Sequence, residues 1–287
     1  MLLTFIYFFL KGGVYMLASE TRKLAREALD SKWGKAALII LVYTLITWGM
    51  NFVLGFIPVA GSIIQLALQI PLTFGLTATF IKLKRGEETT YTEFLSNGFS
   101  NFASSWKVTL WTIVKVLIPL ILFVVCIVII IVGFTVAVKD SAYGETLVRA
   151  SQTMSDDQLA NYMKNVEIDN INPTGSLIII LGFIGAIVVS IWYTVRSYLY
   201  KSSFYLLFDN PNKEAKAIVE ESATIMKGNR WKLFCLQLSF IGWGILTLFT
   251  CGIGAFFLIP YTMVAEICFY EHIAEKNNNT IVEEKAE

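Results

Sequence analysis

From Ala36 to Ile81 the chain runs for 46 residues without a charged side chain. A membrane-spanning helix needs about 20 apolar residues. The run is too long for one span and fits two, with Pro58-Val-Ala-Gly-Ser62 as the break between them. The same logic divides the rest of the chain. Val116–Val138 is a third span, extended past Lys115 by Val108–Val114, and Asn170–Val195 is a fourth. Leu233–Ala265 is 33 uncharged residues, again too many for one helix, with a glycine turn at Thr250-Cys-Gly-Ile-Gly254 and a last helix running past Glu266 to about Tyr270. The reading is all-α: a polytopic membrane protein of six transmembrane helices in three hairpins.

Composition agrees. The chain is 55% hydrophobic and 16% charged, against roughly a quarter charged in soluble domains. The net charge of +1 gives no reason to expect nucleic acid. The placement of Lys and Arg says more. Residues 17–35 hold five, 82–107 hold four, 196–232 hold seven, and the tail after His272 holds two. The first and third turns carry none, and the 139–175 loop holds three, outnumbered by six acids. The positive-inside rule then puts both termini in the cytoplasm and the 139–175 loop outside.

Three places repeat a tryptophan with a lysine close behind: Trp33-Gly-Lys35, Trp106-Lys107 and Trp231-Lys232. Each precedes a hairpin and follows a stretch with an apolar stripe at helical spacing. The third stripe is Ala215, Ile218, Val219, Ser222 and Met226; the first is Leu24, Ala25, Ala28 and Leu29; the second, less regular, is Phe94, Phe99 and Phe102. The predicted unit is an amphipathic interfacial helix, a Trp-Lys corner and a helical hairpin, repeated over about 17–86, 87–209 and 210–275. Trp33, Trp106, Lys227, Arg230, Trp231 and Lys232 form the elbows. Tryptophan suits the headgroup depth and the cations meet anionic lipid there, while Gly228-Asn229 lets the chain turn into the membrane.

Inside the hairpins, Ile70-Pro-Leu-Thr73 and Ile259-Pro-Tyr-Thr262 share I-P-x-T, each followed seven residues after the Thr by Phe80 or Phe269. Proline in a span frees a carbonyl and kinks the helix. Interrupted helices at equivalent positions mark substrate sites in transporters. Pro71, Thr73, Pro260, Tyr261, Thr262 and Glu266 are therefore the candidate intramembrane site. Asn51, Gln65, Gln69, Lys115, Arg196 and Gln237 are the other polar residues at membrane depth or at a helix end, expected to bond between helices or to snorkel. Gly182, Ala186 and Ser190 make a small-residue row that lets a helix approach closely, within the chain first, with a dimer seam as the alternative.

Asp209-Asn-Pro211, Met226-Lys-Gly-Asn229, Trp231-Lys-Leu-Phe234, Leu238-Ser-Phe-Ile-Gly-Trp243, Gly252-Ile-Gly254, Pro260-Tyr261 and Phe269-Tyr270 resemble an uncharacterised bacterial membrane family catalogued as domain of unknown function 975. Arg26–Ala36 is more loosely similar to it. The layout is fainter in its similarity to the membrane part of bacterial glycerophosphodiester phosphodiesterases. The resemblance implies a six-helix protein of the bacterial plasma membrane and carries over no catalytic residue.

Enzyme chemistry is not expected. His272 is the single histidine, Glu266 the single carboxylate within a span, and no phosphate-binding glycine loop is present. Cys126, Cys235, Cys251 and Cys268 all lie in apolar runs and read as small hydrophobes. No cofactor or metal is expected. The partners expected are the bilayer, its anionic headgroups, and a second copy or another membrane protein. Lys11-Gly-Gly13 before Met16 reads as a translated ribosome-binding sequence, so residues 1–15 are expected to be a mis-assigned leader. Residues 276–287 read as a polar tail.

Overall fold

The computed structural model describes residues 13–57, 59–139, 155, 157–158 and 173–284. The expected leader lies outside the described residues up to residue 12, as does most of the expected outer loop. Every regular element among the described residues is helical. Five stretches are long and apolar enough to cross a membrane: Trp33–Gly55, Ala60–Lys84, Phe102–Ala137, Pro173–Asp209 and Arg230–Phe249. They make this a multi-pass membrane protein. The last expected span falls in Ala255–Glu284, where Glu266, Glu271 and His272 interrupt the apolar residues, and it is not among the five. That helix also absorbs the start of the expected tail.

In chain order the helices are α1 (Gly13–Ala28), α2 (Trp33–Gly55), α3 (Ala60–Lys84), α4 (Glu93–Ser100), α5 (Phe102–Lys139), α6 (Pro173–Ser197), a 3-10 turn (Tyr198–Tyr200), α7 (Ser203–Asp209), α8 (Ala215–Met226), α9 (Arg230–Leu238), α10 (Ile241–Phe249) and α11 (Ala255–Glu284). The hairpin turns come where the sequence put them. Gly61 closes the first, where an added Cβ would lie 2.0 Å from the Leu54 carbonyl. Gly252, at φ +86°, closes the last. A second break, at Ser239–Phe240, divides Arg230–Phe249 into α9 and α10 and has no Pro or Gly to announce it.

The described residues fall into two compact units. One contains the chain up to Val114 and from Tyr198 onward; the other is Lys115–Ser197. In the first unit the three amphipathic helices are α1, α4 and α8. Sequence patterning assigns their apolar stripes to the membrane interface. The structure corrects this in part, because some residues of each stripe are covered by protein. A short helix buries more apolar area against neighbouring helices than against mobile headgroups. Phe94 of α4 is fully buried where α4 packs on α3, while Phe99 and Phe102 stay exposed. Ile218, Val219 and Met226 of α8 are buried where α8 meets the 3-10 turn and α7, with Ser222 Oγ donating to the Leu199 carbonyl at 3.0 Å. Ala25 and Leu29 at the end of α1 are buried and α1 packs on α11, while Leu24 remains exposed.

Proline positions determine further contacts. Pro71 has no N–H for the carbonyl four residues back, that of Ala67. The Trp106 indole Nε1 donates to that carbonyl at 3.0 Å. Trp106 thus ties the start of α5 to α3 as well as marking a corner. The charged ends are tied too. Lys84 pairs with Glu271, and Arg85 Nη2 with Asp209 at 2.8 Å. Burial works against the Arg85 charge, but Asp209 and Glu271 outweigh it and hold its pKa above the ordinary value.

The second unit is a helical pair, the later part of α5 and α6. Its glycines lie at the contact. A Cβ on Gly175 would lie 2.4 Å from the Ala137 backbone, and one on Gly182 2.6 Å from Ile130. Gly182 of the small-residue row therefore serves packing within the chain. Ser190 donates back to the Ala186 carbonyl at 2.7 Å. Pro119 frees the Lys115 carbonyl, which Arg196 Nε takes at 3.1 Å. The other faces present Ile118, Phe134, Val188 and Ile191, as lipid-facing helices do.

Candidate functional site

The two I-P-x-T segments set up a comparison inside one molecule. In α3, Gly75 stands two residues after the Thr, and a Cβ there would lie 1.9 Å from the Phe94 carbonyl oxygen of α4. A Cβ on Gly98 of α4 would likewise lie 2.5 Å from the Pro71 carbonyl oxygen. Two glycines let these backbones touch. In α11 the same register position is Val264, fully buried. Here the amphipathic helix is α1, and Tyr261 bridges to it, its hydroxyl donating to the Arg22 carbonyl at 3.3 Å. Where glycines close the first junction, side chains hold this one apart.

A cleft of about 370 Å³ opens beside that junction. Small-molecule sites typically occupy about 300–1,000 Å³. Trp243, Leu246 and Thr247 of α10 form one wall, and Phe257, Leu258 and Tyr261 of α11 the other. Trp33 meets the Tyr261 ring edge-on at 5.8 Å, and Phe240 braces that ring from another side at 5.0 Å. Arg26, at the end of α1, is the one charged side chain among the described lining residues. Arg22 lies one turn earlier on α1. Its Nε is buried with no hydrogen-bond partner among the described residues.

A separate polar cluster surrounds Glu266, five residues beyond Tyr261 and on another face of α11. Gln237 Nε2 donates to Glu266 Oε1 at 2.7 Å, and the Tyr205 hydroxyl to Oε2 at 3.3 Å. Lys201 Nζ lies 3.6 Å from Oε2. The Tyr198 hydroxyl donates to Gln237 Oε1 at 2.5 Å. Tyr205 stacks on Tyr270. The cluster joins α7, α9 and α11 just before the Ser239–Phe240 break.

The sequence-derived site residues therefore go to three places. Pro71 and Thr73 belong to the α3–α4 region; Thr73 is exposed and donates to the Gln69 carbonyl at 2.8 Å. Pro260 is buried, Tyr261 lines the cleft, and Thr262 donates to the Ile259 carbonyl at 2.8 Å. Glu266 is held in the polar cluster. Of the elbow residues, Trp33 lines the cleft, Trp231 stacks on Phe234, and Lys232 Nζ donates to Asn229 Oδ1 at 2.9 Å. Lys227 is exposed and Arg230 half-buried, after a turn that Gly228 makes at φ +85°. Sequence reasoning missed Arg26, Trp243 and Leu246 at the cleft, Arg22 one turn away on α1, and Tyr198, Lys201 and Tyr205 around Glu266. The basic side chains of α1 were the available signal for the first group. Nothing local signalled the second.

A family model described as "Protein of unknown function (DUF975)" matches residues 16–277. The chain belongs to that family. DUF975 membership fits the apolar helices and assigns no site residue. No curated protein and no solved structure matches the chain. The fainter likeness to glycerophosphodiester phosphodiesterases is thus not shown.

Proposed function

We propose that this DUF975 protein is a non-enzymatic membrane component that binds a lipid-like molecule in the cleft between α1, α10 and α11. The supporting observation is the cleft itself: apolar walls, four aromatic side chains (Trp33, Trp243, Phe257 and Tyr261), and a cation, Arg26. A wholly apolar gap would suit any hydrocarbon; the arginine gives an amphiphile an orientation. Native mass spectrometry of detergent-extracted protein tests this. The parent should retain a lipid adduct, and Leu246→Trp, which fills the cleft, should lose it.

The architecture proposed with it is six spans, α11 supplying the sixth, in three repeats. The repeats are supported by how each amphipathic helix docks: α4 on α3, α8 on the helix end at Tyr198–Asp209, and α1 on α11. Thus α4 sits on the second helix of the first hairpin, α8 on the segment that follows α6, and α1 on the last helix of the chain. The setting is the bacterial plasma membrane with both termini inside, from the Lys and Arg distribution. In a cysteine-free background, Ser155→Cys should label in whole cells and Glu220→Cys only after permeabilisation. Both positions are exposed, whereas Ser222, on the same helix as Glu220, is buried and unsuitable as a probe. The reverse labelling pattern would contradict the orientation.

The Glu266 cluster favours a second reading, a carrier for a small or lipid-like substrate, working as a homodimer. Ionisable side chains at membrane depth often belong to substrate or ion pathways, and this one lies beside a broken helix.

A further inference from the structure

We infer that the occupant of the cleft is an anionic glycerophospholipid, with its phosphate at Arg22 and Arg26 and one acyl chain between α10 and α11. The inference rests on the proposal that the cleft binds a lipid-like molecule, and it names the class.

Charge decides the headgroup. Arg22 and Arg26 are four residues apart, so they share one face of α1. Arg26 lines the cleft, and no acidic side chain does so among its described lining residues. The neighbouring acid on α1, Glu27, is engaged by Lys23 at 3.9 Å. The buried Arg22 Nε has no partner among the described residues. A buried donor on a charged group is costly to leave unmet. A phosphate diester against Arg26 supplies negative charge and several acceptor oxygens, which a guanidinium fork matches well, with the Arg22 charge one turn away on the same face. A zwitterionic headgroup brings its own cation towards two others and is disfavoured.

The walls decide the tail. Beyond Arg26 the lining is Trp243, Leu246, Phe257 and Leu258, with Thr247 and Thr250. The Thr250 hydroxyl already donates to the Thr247 carbonyl at 2.9 Å, and Thr247 to the Gly244 carbonyl at 2.7 Å, so neither asks for a polar ligand. The passage leads from the arginines along a hairpin whose outer residues, Leu248 and Phe249, are exposed and apolar. A chain lying there continues into the surrounding hydrocarbon.

The test uses the full protein in nanodiscs of phosphatidylcholine with added phosphatidylglycerol, reading bound lipid by native mass spectrometry. Three proteins are compared: the parent, the double variant Arg22→Gln with Arg26→Gln, and Leu246→Trp. The parent should enrich phosphatidylglycerol. The arginine variant should lose that enrichment by about fivefold per arginine while still retaining some lipid, and Leu246→Trp should release both lipids. Glycerol 3-phosphate, the anion without chains, should displace nothing. If the arginine variant enriches phosphatidylglycerol as the parent does, the headgroup assignment is overturned although the cleft still binds lipid. If Leu246→Trp changes no bound lipid, the cleft reading falls and this inference with it. Displacement by glycerol 3-phosphate would overturn it in favour of a soluble anion.

Discussion

Valine in place of Gly75 is expected to destabilise the protein by at least about 2 kcal/mol, the upper part of the range for forcing volume into a packed interior. The reason is that the obstacle is backbone. A Cβ on Gly75 would lie 1.9 Å from the Phe94 carbonyl oxygen and 2.7 Å from the Gly98 nitrogen. Neither can rotate away as a side chain would. The α4 helix must lift, taking with it the buried Phe94, the Lys82–Glu93 pair at 2.7 Å and the bond from Asn97 to Thr79 at 3.3 Å. Glu93 has a pKa held below the usual carboxylate value: burial pushes it up, but the bonds from Lys82 and the Thr90 N–H outweigh that. Gly49→Ala is the matched control, since nothing lies within 4 Å of an added Cβ there, and alanine is favoured over glycine in a helix by about 1 kcal/mol. Melting in detergent should separate the two variants clearly. Equal melting temperatures would mean that α4 is not seated on α3.

Leucine at Glu266 should cost about 1–3 kcal/mol, because Gln237 and Tyr205 both lose their acceptor in a buried setting. The lower end is the safer figure, since hydrogen bonds between membrane helices average about 0.6 kcal/mol. Glutamine should cost well under 1 kcal/mol. It keeps one oxygen, which can still accept from Gln237, and puts an NH2 group where Oε2 accepted from Tyr205, whose hydroxyl can turn to accept instead. The charge lost faces Lys201, whose side chain is 46% exposed and can reach water. The order Glu, Gln, then Leu in stability is the expected result. Should Gln and Leu prove equally damaging, the charge itself would be what matters. A loss of function in Glu266→Gln with stability intact would favour the carrier.

Much of the fold was legible because its signals are local. Uncharged runs place the spans, and Gly61, Gly228 and Gly252 mark turns that depend on one or two residues. The apolar stripes of α1, α4 and α8 were legible for the same reason. What covers them was not, because Phe94 and Ile218 are buried by residues in other helices. The site was legible only in part. Tyr261 and Glu266 were singled out, but several residues they meet, Trp33, the Arg22 carbonyl, Lys201 and Tyr205, lie more than 60 residues away in sequence. The cleft is lined by residues of α1, α2, α10 and α11, and that grouping acquires meaning only when α1 is seen beside α11. The Ser239–Phe240 break contains neither Pro nor Gly and left no sequence trace.

The central claim, that the cleft holds a lipid, is tested most directly by the mass of the protein extracted from its own membrane. The parent should carry an adduct of phospholipid mass that persists through delipidating detergent washes. Leu246→Trp, folded and melting like the parent, should appear as bare protein. An adduct retained equally by both, or by neither, would contradict the claim.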